Sequence, residues 1–237
     1  MSKDVEAFSR KLEKLKAVQR MEAIIAEIPQ DKLLLSTSFG AEDQVITDIA
    51  IKINPSIRIF TLDTCRQFQE TYDTFHDTIR KYNCSIEVYA PETEDIIALM
   101  EKYGPNSMYE SIEKRKECCR ISKLVPLRKA LATCDAWICG IRQEQSVTRF
   151  NSNPAEKDTQ NNVIKFAPLF DWTKEDVWDY IRTNNVPYNK LHDRNYPSIG
   201  CAPCTRAVEP GEDDRAGRWW WERAEQKECG LHKRQDA

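Results

Sequence analysis

"KLLLSTSFGAEDQVITDIAIKI" (Lys32–Ile53) decides how this chain folds. Three leucines running into Ser-Thr-Ser read as a short buried strand. The stretch from Gly40 onward reads as a helix with Glu42 and Asp43 in its first turn, where the helix dipole favours acidic groups. A buried strand entering a helix through a polar turn is the first half of a βαβ unit. A turn of serines and glycine at the carboxyl end of such a strand offers N–H groups and hydroxyls to an anion. The same residues would also serve as a plain strand-to-helix turn.

The alternation repeats outward from there. "IRIFTL" (Ile57–Leu62) is a second strand and "RQFQETYDTFHDTIRKY" (66–82) a second helix. "SIEVY" (85–89) is a third strand, and "TEDIIALMEKYG" a third helix ending near Gly104. A charged helical stretch containing "KECCRISK" (Lys116–Lys123) follows. "AWICGI" (Ala136–Ile141) is a fourth strand, "VIKFAPL" a candidate fifth, and "WTKEDVWDYIRTNNV" a helix. Upstream, Val5, Phe8, Leu12, Leu15, Val18, Met21, Ile24, Ile25 and Ile28 predict one long amphipathic helix ended by Pro29. The expected fold is α/β: a Rossmann-like parallel sheet with helices on both faces. The expected division is an N-terminal helix over 1–30, an α/β core over 31–187 and a polar C-terminal segment over 188–237.

Composition narrows the class. The chain has 237 residues, 41% of them apolar and 31% charged, which suits a soluble globular protein. No apolar run approaches the ~18 residues of a membrane span. The N-terminus is too charged for a secretory signal, so a cytoplasmic protein is expected. A net charge of −3 gives no electrostatic reason to bind nucleic acid. Nine cysteines without export point to metal or redox chemistry rather than disulfides.

Cys118 and Cys119 are adjacent, so they face a metal or a distant cysteine more readily than each other. "CAPC" (Cys201–Cys204) supplies two more thiols at hook spacing. Four thiolates fit tetrahedral zinc or an iron–sulfur cluster. An adjacent pair is awkward for one small tetrahedral ion, whereas a cubane spreads its corners, so geometry favours [4Fe–4S]. Cys229, in "KECGLHKRQDA", has Lys227, His232, Lys233 and Arg234 nearby to favour its thiolate. An incidental cysteine in a charged tail is the plainer alternative. Arg215 and Arg218, in "DDRAGRWWWERAEQKE", would share a helix face and could clamp an anion, or form a solvated face. Trp219, Trp220 and Trp221 cannot all face one way. At least one is expected at an interface, which leaves room for a homo-oligomer.

The ordered set "STSFGAED", "LDTCRQFQETY", "ECCRISK", "GIRQEQSVTR", "GCAPCTR" and "KECGLH" closely resembles the assimilatory adenylylsulfate (APS) reductases. These belong with the phosphoadenylylsulfate (PAPS) reductases among the adenine nucleotide α-hydrolase-like folds. The resemblance runs from Leu33 to His232. It implies that Cys118, Cys119, Cys201 and Cys204 hold a [4Fe–4S] cluster and that Cys229 is the nucleophile. Lys123, Arg215, Arg218 and His232 would surround the sulfate and phosphate of APS. Ser36 and Ser38 would belong to a modified phosphate loop. Leu62 and Gly140 would meet adenine through their backbones, and Arg149 would be a further nucleotide contact. The implied reaction is thioredoxin-dependent reduction of APS to sulfite and AMP through S-sulfocysteine, in sulfate assimilation, with a thioredoxin or glutaredoxin-type dithiol as partner. PAPS reduction or dual use is the close alternative. A zinc-stabilised nucleotide module and a tRNA sulfurtransferase are more distant. The sulfurtransferase would need an SGGxDS loop and a basic surface, which "SFGAED" and the acidic balance oppose. Where the family usually reads LDTG, this chain has Cys65, at a position where glycine often serves a positive φ.

Overall fold

The computed structural model describes residues 2–145 and 152–223. Eight α-helices and six strands are assigned among them. Helix α1 (Ser2–Glu13) and helix α2 (Ala17–Glu27) replace the single long helix expected from the apolar spacing. The break centres on Arg20. A continuous helix would bond the Leu12 carbonyl to the Lys16 N–H, but the buried Arg20 Nε donates to it at 3.0 Å. The Lys16 N–H donates instead to Gln19 Oε1 at 3.1 Å. Arg20 also donates to the Pro168 carbonyl at 3.0 Å and pairs with Asp171, so the break is held by the body of the protein.

The remaining elements follow the expected alternation. Strand β1 (Leu33–Thr37) leads to α3 (Ala41–Ile53), β2 (Arg58–Leu62) to α4 (Gln69–Tyr82) and β3 (Glu87–Tyr89) to α5 (Thr93–Tyr103). Helix α5 ends at Gly104, where φ is +79°, a conformation glycine adopts without steric cost. Next come α6 (Ile112–Cys119), a π-helical turn (Arg120–Leu124) and α7 (Val125–Leu131). Strands β4 (Ala136–Ile138), β5 (Ala155–Asp158) and β6 (Val163–Phe166) complete the sheet before α8 (Lys174–Thr183). A capping box starts α8: Thr173 Oγ1 accepts the Asp176 N–H, and the Asp176 carboxylate accepts the Thr173 N–H.

The sheet order is β3-β2-β1-β4-β6-β5. Strand β1 runs parallel to β2 and β4, and β4 parallel to β6. The Rossmann-like, mostly parallel α/β fold is therefore observed. Strand β5, antiparallel to β6, was not expected. Its sequence, Ala-Glu-Lys-Asp, lacks the β-branched and aromatic residues that mark a strand, and pairing with β6 imposes the conformation. The chain lays β1, β2 and β3 in one direction, then returns to place β4 on the other side of β1. That reversal is a topological switch point, where open α/β sheets bind ligands at the carboxyl ends of the strands.

The contacts divide the chain into two units. The first comprises Met1–Thr61, Gln69–Glu87 and Leu131–Lys190, and its core includes Leu33, Leu35, Val45, Ile49, Ile138 and Phe166. The second comprises Leu62–Phe68, Val88–Ala130 and Leu191–Ala237. It holds a smaller buried cluster of Met108, Cys119, Cys204 and Trp219.

Candidate active site

In the first unit, the switch point lies between the ends of β1 and β4. Ser36 Oγ donates to the Ile138 carbonyl at 3.1 Å, tying the two strands. Ser38 turns the chain towards α3, and both its N–H (2.7 Å) and its hydroxyl (2.6 Å) donate to Asp43 Oδ2. The other oxygen, Asp43 Oδ1, accepts the Gly140 N–H at 3.2 Å. One carboxylate thus pins the turn after β1 to the loop after β4. Burial raises the Asp43 carboxyl above its ordinary range, against the lowering effect of the Ser38 and Gly140 donors. The left-handed residue of the turn is Phe39 (φ +61°), whose ring stacks on Phe75 at 4.8 Å. Gly40 is the N-cap of α3, with φ −71°.

Gly140 has no room for a side chain. A Cβ there would stand 2.4 Å from Asp43 Oδ1 and 2.9 Å from the Glu42 Cβ. Its carbonyl accepts a long bond, 3.4 Å, from Gln145 Nε2. Arg142 is buried and committed to Glu42 at 2.9 Å and to the Trp172 carbonyl, so it serves the fold at this edge. Arg149 lies outside the described residues.

In the second unit, Leu62 ends β2, and its carbonyl accepts a long 3.5 Å bond from Gln67 Nε2. Cys65 follows at φ +58°. The position that glycine usually fills does require the left-handed region, and cysteine adopts it at a cost of roughly 1–2 kcal/mol. The Cys65 N–H donates to Asp63 Oδ1 at 2.8 Å, the local bond that makes this turn. Burial and the Asp63 charge push the Cys65 thiol up, so it stays protonated at neutral pH.

The four cysteines of the two hooks meet in this second unit. Ser111 caps α6 by accepting the Lys114 N–H at 3.2 Å, and Cys118 and Cys119 end the helix. The π turn follows at once; such turns often mark functional sites because they re-aim side chains. Lys123, on that turn, bonds Cys201. "CAPC" forms a 3-10 turn in which the Cys204 N–H donates to the Cys201 carbonyl at 2.9 Å. Thr64 Oγ1 lies 3.2 Å from Cys201 Sγ.

The thiols influence one another. Burial pushes the Cys204 thiol up to about 12, with further upward pressure from Cys201, Cys119 and Cys118. Burial and Cys201 raise Cys118. Cys201 runs the other way: burial raises it, but Lys123, Thr64 and Arg218 outweigh burial and hold the thiol below its usual range. Among the described residues, no three His, Cys, Asp or Glu side chains close up as a single metal ion needs. Two buried donors nearby, Trp219 Nε1 and Arg218 Nε, have no hydrogen-bond partner among the described residues. Orphaned donors and cations around four thiols form a surrounding that fits an anionic, sulfur-rich group.

The expected arginine helix is absent. Residues 213–222 form turns, and Arg218 follows Arg215 through a reverse turn in which its N–H donates to the Arg215 carbonyl at 3.0 Å. The Asp213 carboxylate takes the Arg215 N–H, and Thr205, earlier in the chain, bridges to Arg218 as in a β-ladder. Arg218 is buried, with Nη1 donating to the Ile199 carbonyl at 3.2 Å, and Arg215 is half-buried. Gly200 leaves space for the Arg218 guanidinium, which a Cβ would meet at 2.3 Å. The tryptophans divide: Trp219 is buried, Trp221 is half-buried and Trp220 is exposed. Cys229 and His232 lie outside the described residues. Asp43 and Trp219 stood out in the sequence as a first-turn acid and one of three tryptophans, but nothing local gave either a place at the site.

The fold is that of a mostly parallel, Rossmann-like α/β protein, with the four cysteines of the two hooks in its second unit. Residues 32–207 match the phosphoadenosine phosphosulfate reductase domain. The chain is 48% identical to adenosine 5'-phosphosulfate reductase of Allochromatium vinosum, over 93% of this chain and 86% of that protein. It is 46% identical to the protein of the same name from Neisseria meningitidis serogroup B, over 96% and 91% of the two. Among solved structures, phosphoadenylyl-sulfate reductase from Candida auris in a phosphate complex superposes with a TM-score of 0.74 at 26% identity, covering 88% of this chain and 98% of that one. Candida glabrata FMN adenylyltransferase, at 14% identity and a TM-score of 0.57 over 98% of this chain and 77% of that one, shares the fold. This chain belongs to the phosphoadenosine phosphosulfate reductase family, and it is an oxidoreductase acting on a sulfur group.

Proposed function

We propose that the protein reduces adenosine 5'-phosphosulfate to sulfite and AMP in sulfate assimilation, with a thioredoxin-type dithiol as reductant and a [4Fe–4S] cluster held by Cys118, Cys119, Cys201 and Cys204. The observation that carries this reading is the gathering of those four thiols with Lys123, Arg218 and the Trp219 indole N–H in one unit. The four-cysteine set also favours APS over PAPS, since family members without it generally use PAPS. A bound cluster would supply a fixed dense charge beside Lys123.

The chain's own residues perform the chemistry. The Cys229 thiolate attacks the sulfur of APS. The bond from that sulfur to the bridging oxygen breaks, and AMP leaves with the electron pair. Lys123, Arg215, Arg218 and His232 balance the charge on sulfate and departing phosphate. The enzyme retains S-sulfocysteine. One thiolate of the reductant then attacks the Cys229 sulfur and releases sulfite. Its second thiol resolves the mixed disulfide, so the dithiol ends oxidised and supplies two electrons. Ser36, Ser38 and the N-terminal amides of α3 would take the nucleotide phosphate. The Gly140 backbone, whose carbonyl accepts a long 3.4 Å bond from Gln145, would meet adenine.

Anaerobic purification followed by assays on APS and PAPS with reduced thioredoxin, with iron and sulfide analysis, tests the reading. Brown protein preferring APS is expected. Colourless, iron-free, inactive protein would overturn it.

A further inference from the structure

Arg66, on the turn after β2, joins three parts of the second unit. Its carbonyl accepts the Ala202 N–H at 2.8 Å, so its backbone holds the turn that carries Cys201 and Cys204. Its half-buried side chain holds another segment: Nη2 donates to the Pro105 carbonyl at 2.7 Å, and Nη1 reaches Met108 Sδ at 4.0 Å. Met108 is 1% exposed and packs with Cys119, Cys204 and Trp219. Both partners of the guanidinium are neutral, and among the described residues no carboxylate pairs with it.

Arg115 offers a contrast. It stands one turn before Cys119 on α6 and is bound through its fork to Glu222, Nε to Oε1 at 2.8 Å and Nη2 to Oε2 at 2.6 Å, with both side chains buried. Its charge is balanced where it stands, whereas the Arg66 charge acts on its surroundings. Burial and Cys201 push the Cys118 thiol up, and Arg66 is the strongest influence the other way, ahead of Ser122 and Lys123. Lys123 bonds Cys201. Each hook thus has its own cation, Lys123 for Cys201 and Arg66 for Cys118. A group held by four thiolates is anionic. A cation near one thiolate draws density from its iron–sulfur bond and makes the whole group harder to oxidise.

We propose that Arg66 is a positioning residue of the four-thiol site, which seats the segment of Pro105 and Met108 and keeps an unpaired positive charge near the Cys118 corner of the cluster. This rests on the reading of the four cysteines as cluster ligands. The two parts of the role are separable. Any variant at this position keeps the backbone carbonyl that holds Ala202, and lysine keeps the charge while giving up the fork.

The test compares wild type with Arg66→Gln and Arg66→Lys, all purified without oxygen. Iron per chain, the iron–sulfur stretching bands in resonance Raman spectra, and the rate at which the visible absorbance fades in air are measured. The expected result is iron retained in all three proteins. In Arg66→Gln the stretches of the cysteine-bound irons move to higher frequency and fading quickens about fivefold, the scale of one half-exposed charge partner. Arg66→Lys stays near wild type in both. Iron lost from the glutamine variant and kept by the lysine variant also supports the proposal, since charge alone separates them. If Arg66→Gln matches wild type, or if both variants shift or lose iron alike, the charge has no role and the proposal is overturned. Wild type that holds no iron contradicts the cluster reading itself, an outcome distinct from variants that match an iron-loaded wild type.

Discussion

The Gly140 N–H donates to Asp43 Oδ1 at 3.2 Å, and a Cβ at position 140 would stand 2.4 Å from that same oxygen. The loop after β4 and the first turn of α3 are thus held together by a bond that only glycine permits.

Gly140→Ala should break that bond by driving the loop off α3. Overpacking of this kind costs about 1–3 kcal/mol. Because the strain falls where the nucleotide is proposed to bind, APS affinity should weaken by about tenfold or more, which calorimetric titration would read. Unchanged affinity and thermal stability together would count against the geometry.

Asp43 gives a pH signature. Burial raises its folded-state carboxyl above the unfolded value, so the folded protein holds that proton more tightly. The stability this group contributes is present below the unfolded value and is lost as pH rises through the folded one. Asparagine does not titrate. The stability of wild type relative to Asp43→Asn, from urea denaturation without substrate, should fall as pH rises through that window and then level off. A difference that grows with pH would contradict the assignment.

Lys123 bonds Cys201 and, in the proposed mechanism, carries charge for the sulfate. Lys123→Met should leave iron content near wild type and lower kcat/KM on the order of 100-fold, the usual loss when one charge-stabilising donor goes. Cys118→Ser should lose iron and activity together. Iron analysis beside steady-state kinetics separates the two. A Lys123→Met protein without iron would show that the lysine holds the thiols rather than the substrate.

The first unit was largely legible in the sequence. Leu33–Leu35 and the apolar spacing of α3 are local signals, and the strand-to-helix alternation requires a sheet. Where sequence reasoning missed, a distant partner decided. Arg20 breaks the N-terminal helix through contacts with Pro168 and Asp171, far along the chain. Strand β5 exists because β6 is beside it. Arg215 and Arg218 sit three apart as on a helix, yet Thr205 pulls Arg218 into a bridge. The hooks "ECC" and "CAPC" stood out because thiols at these spacings have few other uses. The surroundings of those thiols were not: Arg115 marks only a helical spacing to Cys119, and nothing local to Glu222 points to a partner at Arg115.

The central claim is that Cys229 carries the sulfonate of APS. Enzyme prepared without oxygen and mixed with APS, with no reductant, should release one AMP per chain. Mass spectrometry should place a single SO3 group on the peptide containing Cys229, and reduced thioredoxin should then discharge it as sulfite. Sulfite produced by a Cys229→Ser variant, or an adduct found on any other cysteine, would contradict the account.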